Sequence, residues 1–138
     1  MDPLAQLRAK IADFPGYDDD LCRRRSDALV RSYLGEALAD LAARCDPLPP
    51  ELQARVDQLL LRVGFADPKS FAVHNGIAAM HQVSEVTVAA TDAATVELAD
   101  RASAVAAGDL TSYFDEVTAT LDRREVAMRA AATASGRP

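Results

Sequence analysis

Two histidines, His74 and His81, and one carboxylate, Glu85, are the residues best suited by type to carry chemistry. Imidazole binds metal, accepts phosphate and moves protons near neutral pH. His81 and Glu85 stand at i, i+4 spacing, so one helix face would present both and they could share an ion. His74 lies two turns from His81, about 10 Å along a straight helix, too far to join that ion. His74, His81 and Glu85 are therefore the candidate ligand or metal residues. A plainer account places both histidines at the edge of an apolar helix face without a chemical role, so no metal or cofactor is expected. Asp18, Asp19 and Asp20, like Asp115 and Glu116, are adjacent in sequence and do not converge on one ion in a helix. Arg23, Arg24 and Arg25 follow the first acid run by one turn and are expected to pair with it at the surface. Cys22 and Cys45 would lie roughly 34 Å apart on one helix, which excludes a disulfide between them. The sequence has no glycine-rich phosphate loop, no Gly-x-Ser-x-Gly elbow and no Cys-x-x-Cys pair, and no enzyme is expected.

The segment Ile77-Ala78-Ala79-Met80-His81-Gln82-Val83-Ser84-Glu85-Val86-Thr87-Val88 resembles the helix-turn-helix core of bacterial repressors of the lactose-repressor type. An Ile/Val-Ala pair, a turn, Val-Ser and then Thr-Val recur there in that order. The resemblance covers this segment alone and implies a DNA-binding regulator using residues 77–88. Ser84 would cap the recognition helix, and Glu85, Val86, Ala89 and Ala90 would face the groove. The turn position, usually Gly because its φ is positive, holds Gln82. Base readout calls for Arg, Lys, Asn or Gln, whereas this helix continues through Asp92, Glu97 and Asp100 with no cation before Arg101. A phosphotransfer bundle is the other alternative. Neither histidine, however, is followed by the Lys and Gly of histidine phosphotransfer domains: His74 precedes Asn75-Gly76 and His81 precedes Gln82-Val83.

Positioning these groups falls to a chain of 138 residues, 49% hydrophobic and 26% charged. That size buries one core without disulfides or a structural metal. Aromatic residues are 5% and Trp is absent, so Leu, Val and Ala must fill the interior, which favours closely approached helices. A net charge of -6 opposes general binding to nucleic acid or to an anionic membrane surface. Met1 to Ala12 is interrupted by Asp2, Arg8 and Lys10, and no stretch is long enough to span a bilayer. A cytoplasmic protein with no membrane partner is expected.

Capping and periodicity place the helices. Asp2 with Pro3 starts the first, which carries Leu4, Leu7, Ile11 and Phe14 and is expected to end at Pro15-Gly16. The acid run Asp18 to Asp20 opens the second, with Val30, Leu34, Ala37, Leu41 and Cys45 on one stripe. Asp46-Pro47-Leu48-Pro49-Pro50 ends it and begins a third, whose Leu52, Val56, Leu59, Leu60 and Val63 predict deep burial; Gly64 ends that helix. Gly108-Asp109 separates a last helix bearing Leu110, Phe114, Val117, Leu121, Met128 and Ala131, interrupted by Arg124 where the stripe calls for an apolar residue.

Between them, residues 68–107 are apolar on two opposite sides. Val73, Ile77, Met80, Ser84, Val88, Thr91, Thr95, Leu98 and Ala102 follow one side; Ala72, Ala79, Val83, Val86, Ala90 and Ala94 follow the other. One helix over that span would be about 60 Å long, so a break is expected near Gln82 to Thr91, with Ser84 or Thr91 as a cap. A helix apolar on two sides needs two partners. The expectation is thus a single all-α domain over 1–138: an antiparallel bundle of four to five helices, with a short N-terminal helix and turn in 1–17 and a frayed tail at 132–138. The doubly apolar stretch lies at its centre or at a two-fold dimer contact, and the expected function is noncatalytic, an adaptor or assembly role. Ala72, Ala79, Val83, Val86, Ala90 and Ala94 form the candidate interface, and the partner is a second copy (a homodimer) or another protein.

Overall fold

The computed structural model describes residues 2–64 and 82–135, with side chains described for 2–64 and 86–131. Among these residues all regular structure is helical, and no helix is long and apolar enough to cross a membrane.

Helix α1 spans Pro3–Lys10, and Asp2 caps it by accepting from the Ala5 amide at 2.9 Å. It stops earlier than its apolar spacing predicts. Asp13 takes a left-handed φ of 60°, a conformation that Asp tolerates better than most residues and that a helix cannot contain. Phe14 and Tyr17 therefore reach the core from a loop, their rings edge to face at 5.9 Å.

Helix α2 spans Asp20–Arg44, with Asp19 accepting from the Cys22 amide at 2.7 Å as its cap. Val30, Leu34, Leu38 and Leu41 are buried along it. A cis Asp46-Pro47 bond lies in the turn to α3, Pro50–Arg62. Val56, Leu59 and Val63 are buried as the spacing predicts, whereas Leu52 and Leu60, expected with them, are only half-buried. At Gly64 the backbone turns left-handed, φ 89°, where a side chain would be strained.

Helix α4 spans Gln82–Arg101 without the break expected between Gln82 and Thr91. Thr91 Oγ1 donates to the Val88 carbonyl at 2.9 Å and Thr95 Oγ1 to the Thr91 carbonyl at 2.8 Å, so these hydroxyls bond back to their own helix and cap nothing. The helix also stops short of Ala107. Two 3-10 turns follow, Ala102–Ala104 and Ala107–Asp109, and Arg44 from α2 donates to the Ala102 and Val105 carbonyls at 2.9 and 3.2 Å, satisfying acceptors that the helix end leaves open. Helix α5 spans Leu110–Ser135, running into the stretch expected to fray.

Helix α4 packs against α1, α2 and α5. One apolar cluster gathers Leu7, Ile11, Phe14, Val30, Val88, Ala93, Val96 and Met128, and a second gathers Leu34, Leu41, Val56, Leu98, Phe114 and Leu121. Every apolar residue expected on the α5 stripe is buried. Arg124 falls on α5 between the parts belonging to the two clusters.

Candidate functional site

The polar residues inside the core are few and tightly bonded. Arg124 Nε donates to Asp92 Oδ1 at 2.6 Å, and its Nη2 donates to Asp27 Oδ1. Tyr17 donates its hydroxyl hydrogen to Asp92 Oδ2 at 2.5 Å, and Arg31 pairs with Asp27 at 3.2 Å while donating to the Val63 carbonyl. Next to them, Arg23 donates to the Tyr17 carbonyl at 2.9 Å and Ser26 to the Gly16 carbonyl at 2.6 Å. Two guanidinium groups thus face two carboxylates across α2, α4 and α5, which neutralises charge that burial alone would make very costly.

Burial pushes the Asp92 carboxyl above its ordinary value, against the pull of Arg124 and Tyr17 in the other direction. Burial also works against the charge on Arg124, but the carboxylates of Asp92 and Asp27 outweigh it and hold the guanidinium firmly protonated. Tyr17 is raised by its own burial and then by Asp92, so it remains a donor. Arg124 and Asp92 expose only 5% and 1% of their side chains, which closes the cluster to any ligand. Its role is to join elements.

The surface tells a different story on α4. Val86 is 64% exposed, and Ala90 and Ala94 one and two turns later are exposed as well. Glu97 and Arg101 continue that outward stripe and line grooves on both of its sides. One groove runs against α1, bounded by Gln6 and Lys10, with a volume of about 570 Å3. The other runs against α5, bounded by Glu116, Ala119 and Arg123, with a volume of about 280 Å3. Nearer the start of α4, Val86 borders a third depression of about 300 Å3 with Pro3, Leu4 and Tyr17, and Asp2 and Asp18 stand there too. The outward face is therefore a ridge of small residues between two furrows, a shape that accepts another helix.

The candidate residues divide accordingly. Val86, Ala90 and Ala94 share the outward stripe. Val83, Ser84 and Glu85 belong to α4, but their side chains lie outside the described residues, as do Ala72, His74, Ala79 and His81 altogether. Ala89 corrects the groove-facing assignment made by the helix-turn-helix resemblance: it is 6% exposed, packed in the cluster that holds Leu7 and Val88. A helix cannot turn Ala89 toward DNA while that position packs in the core. Asp92 is likewise inside and contributes nothing to a solvated acidic face. Arg23 is buried, whereas Arg24 pairs with Asp20 at 3.1 Å on the surface as expected.

Sequence reasoning missed the buried cluster, although its signal was present. Asp27 stands with Val30 and Leu34, Asp92 with Val88 and Thr95, and Arg124 with Leu121 and Met128, each on an otherwise apolar stripe. Among the described residues no group of three or more His, Cys, Asp or Glu could hold a metal ion. Comparison with protein-family models, with curated proteins and with solved structures gives no match.

Proposed function

We propose that this chain is a noncatalytic, cytoplasmic interaction domain that pairs with a second copy of itself through the outward stripe of α4. The observation that carries the reading is Val86, exposed at the head of a stripe that continues through Ala90 and Ala94 while the inward face of the same helix is already covered. Ala at successive turns lets two helix backbones approach closely, and the flanking furrows receive the partner's side chains. A two-fold pair uses the same patch twice, so one apolar helix face suffices.

Within each copy, the helices form an antiparallel bundle. Support comes from the ties between α4 and α5: Asp92 meets Arg124 far along α5, whereas Leu98 and Arg101, nearer the end of α4, meet Tyr113 and Glu116 near the start of α5. The described length of α4 is about 30 Å, which with its rims offers a contact at the low end of specific interfaces.

Light scattering across a concentration series tests this. Wild type is expected to shift from monomer to dimer with rising concentration, and Val86→Asp to remain monomeric with unchanged helicity. A wild type that stays monomeric at several hundred micromolar overturns the reading.

A further inference from the structure

The depression beside Val86 differs from the two furrows in what lines it. Its floor is apolar, built from Pro3 and Leu4 of α1 and from Val86 and Ala89 of α4. Asp2 and Asp18 also line it, and because both are exposed they stand at its mouth. The Tyr17 hydroxyl, which could otherwise donate into it, is committed to Asp92. No cation is among the lining residues, whereas both furrows mix cations with carboxylates.

The charges around the depression leave it negative. Three helices begin close to it, at Pro3, Asp20 and Gln82, and each start carries about half a positive charge. Asp2 and Asp19 cap the first two, and the half-charge at the start of α4 faces the full charge of Asp18. Arg8, Arg23 and Arg24 donate to the Phe14 carbonyl, the Tyr17 carbonyl and Asp20, and none of them lines the depression. An apolar floor under a negative mouth suits a side chain with a greasy stem and a positive tip, which is Arg or Lys. About 300 Å3 is the low end of ligand pockets, room for one such side chain. Leu21, three residues beyond Asp18, is 77% exposed and Val86 is 64% exposed, which gives apolar neighbours of that side chain something to rest on.

We propose that the Val86 depression receives one Arg or Lys from a basic, apolar segment of a different protein, its stem on Leu4 and Val86 and its charge beside Asp18. The site does not depend on self-pairing. Because both events cover Val86, a bound segment and a second copy exclude one another. Exposed ion pairs are screened, so binding weakens as salt rises.

Fluorescence anisotropy of a labelled arginine-leucine peptide, set against its glutamate-leucine counterpart, tests this at protein concentrations where light scattering shows monomer. Wild type is expected to bind the first peptide and not the second. Asp18→Lys and Asp57→Lys change the net charge equally, but Asp57 is an exposed residue of α3 outside the depression. Asp18→Lys is expected to weaken binding about tenfold by setting like charges together, and Asp57→Lys less than about twofold. Val86→Gln leaves the charge unchanged and is expected to weaken binding about fivefold through the lost apolar floor. Far-UV circular dichroism checks that each variant is folded; should Asp18→Lys fail to fold, Asp18→Asn takes its place and must weaken binding more than Asp57→Asn. An arginine-leucine peptide that does not bind, equal losses from the changes at positions 18 and 57, or no loss from Val86→Gln overturns the site. Free arginine amide that competes at the same concentration as the peptide overturns the choice of a protein segment as occupant. A wild type that never dimerises removes self-pairing and leaves this site standing.

Discussion

Arg124 and Asp92, thirty-two positions apart in the chain, meet inside the protein with guanidinium Nε 2.6 Å from carboxylate Oδ1. Neither would be buried without the other. Arg124 also reaches Asp27, so a single side chain of α5 joins both α2 and α4, and Tyr17 ties the loop after α1 to the same carboxylate. The planar guanidinium carries donors on separate nitrogens, Nε toward Asp92 and Nη2 toward Asp27, which lets one residue hold two carboxylates in fixed directions.

Arg124→Leu should therefore be far more damaging than its good apolar fit on the stripe suggests. It leaves buried Asp92 without a counter-charge, held only by the Tyr17 hydroxyl, and Asp27 with Arg31 alone, and urea unfolding should show a loss of about 3–5 kcal/mol. Adding Asp92→Leu to Arg124→Leu should recover part of that loss, because the second charge leaves with the first. Arg124→Lys should fall between wild type and Arg124→Leu. A double variant that simply sums the two single losses would contradict the coupling.

Packing makes an independent test on α5. Phe114 is fully buried and Val126, on the same helix, is 65% exposed. Phe114→Ala should cost about 3–5 kcal/mol in thermal or urea unfolding, mostly through the cavity it leaves. Val126→Ala should stay within about 0.5 kcal/mol of wild type.

Alkaline pH should destabilise the protein in a defined window. The hydrogen bond to Asp100 pushes Tyr33 up to about 12 from an ordinary 10.0, and burial pushes Tyr113 to about 12. Because the folded state holds these protons more tightly than the unfolded chain, their contribution is fully present below pH 10. It is lost as pH rises from there through about 12. A melting temperature that declines over this window, with a shallower decline in Tyr33→Phe, is the expected result; a flat profile would exclude it.

Gly16 should not tolerate a side chain. Its φ is 84°, and an added Cβ would sit 3.1 Å from Arg8 Nη2. Its carbonyl also receives the buried Ser26 hydroxyl, so the backbone cannot shift freely. Gly16→Ala is expected to cost about 1–2 kcal/mol by the left-handed conformation alone, read as a lowered urea midpoint with an unchanged slope.

The helical content and most helix ends were legible in the residues themselves. Asp2 with Pro3, the acid run ending in Asp19 and Asp20, Pro50 and Gly64 act through bonds and backbone preferences within a few positions, so no distant partner is needed to read them. The α5 stripe is equally local, since a 3.6-residue period alone puts Leu110, Phe114, Val117 and Leu121 on one side. Tertiary structure decided the rest. On α4 both sides are apolar, so the sequence offered no preference between them; the packing of α1, α2 and α5 turned Ala89 inward and left Val86 and Ala90 outward. Likewise an Asp or Arg on an apolar stripe reads as an interruption until its counter-charge arrives from another helix, and only folding brought Asp27, Asp92 and Arg124 within bonding distance.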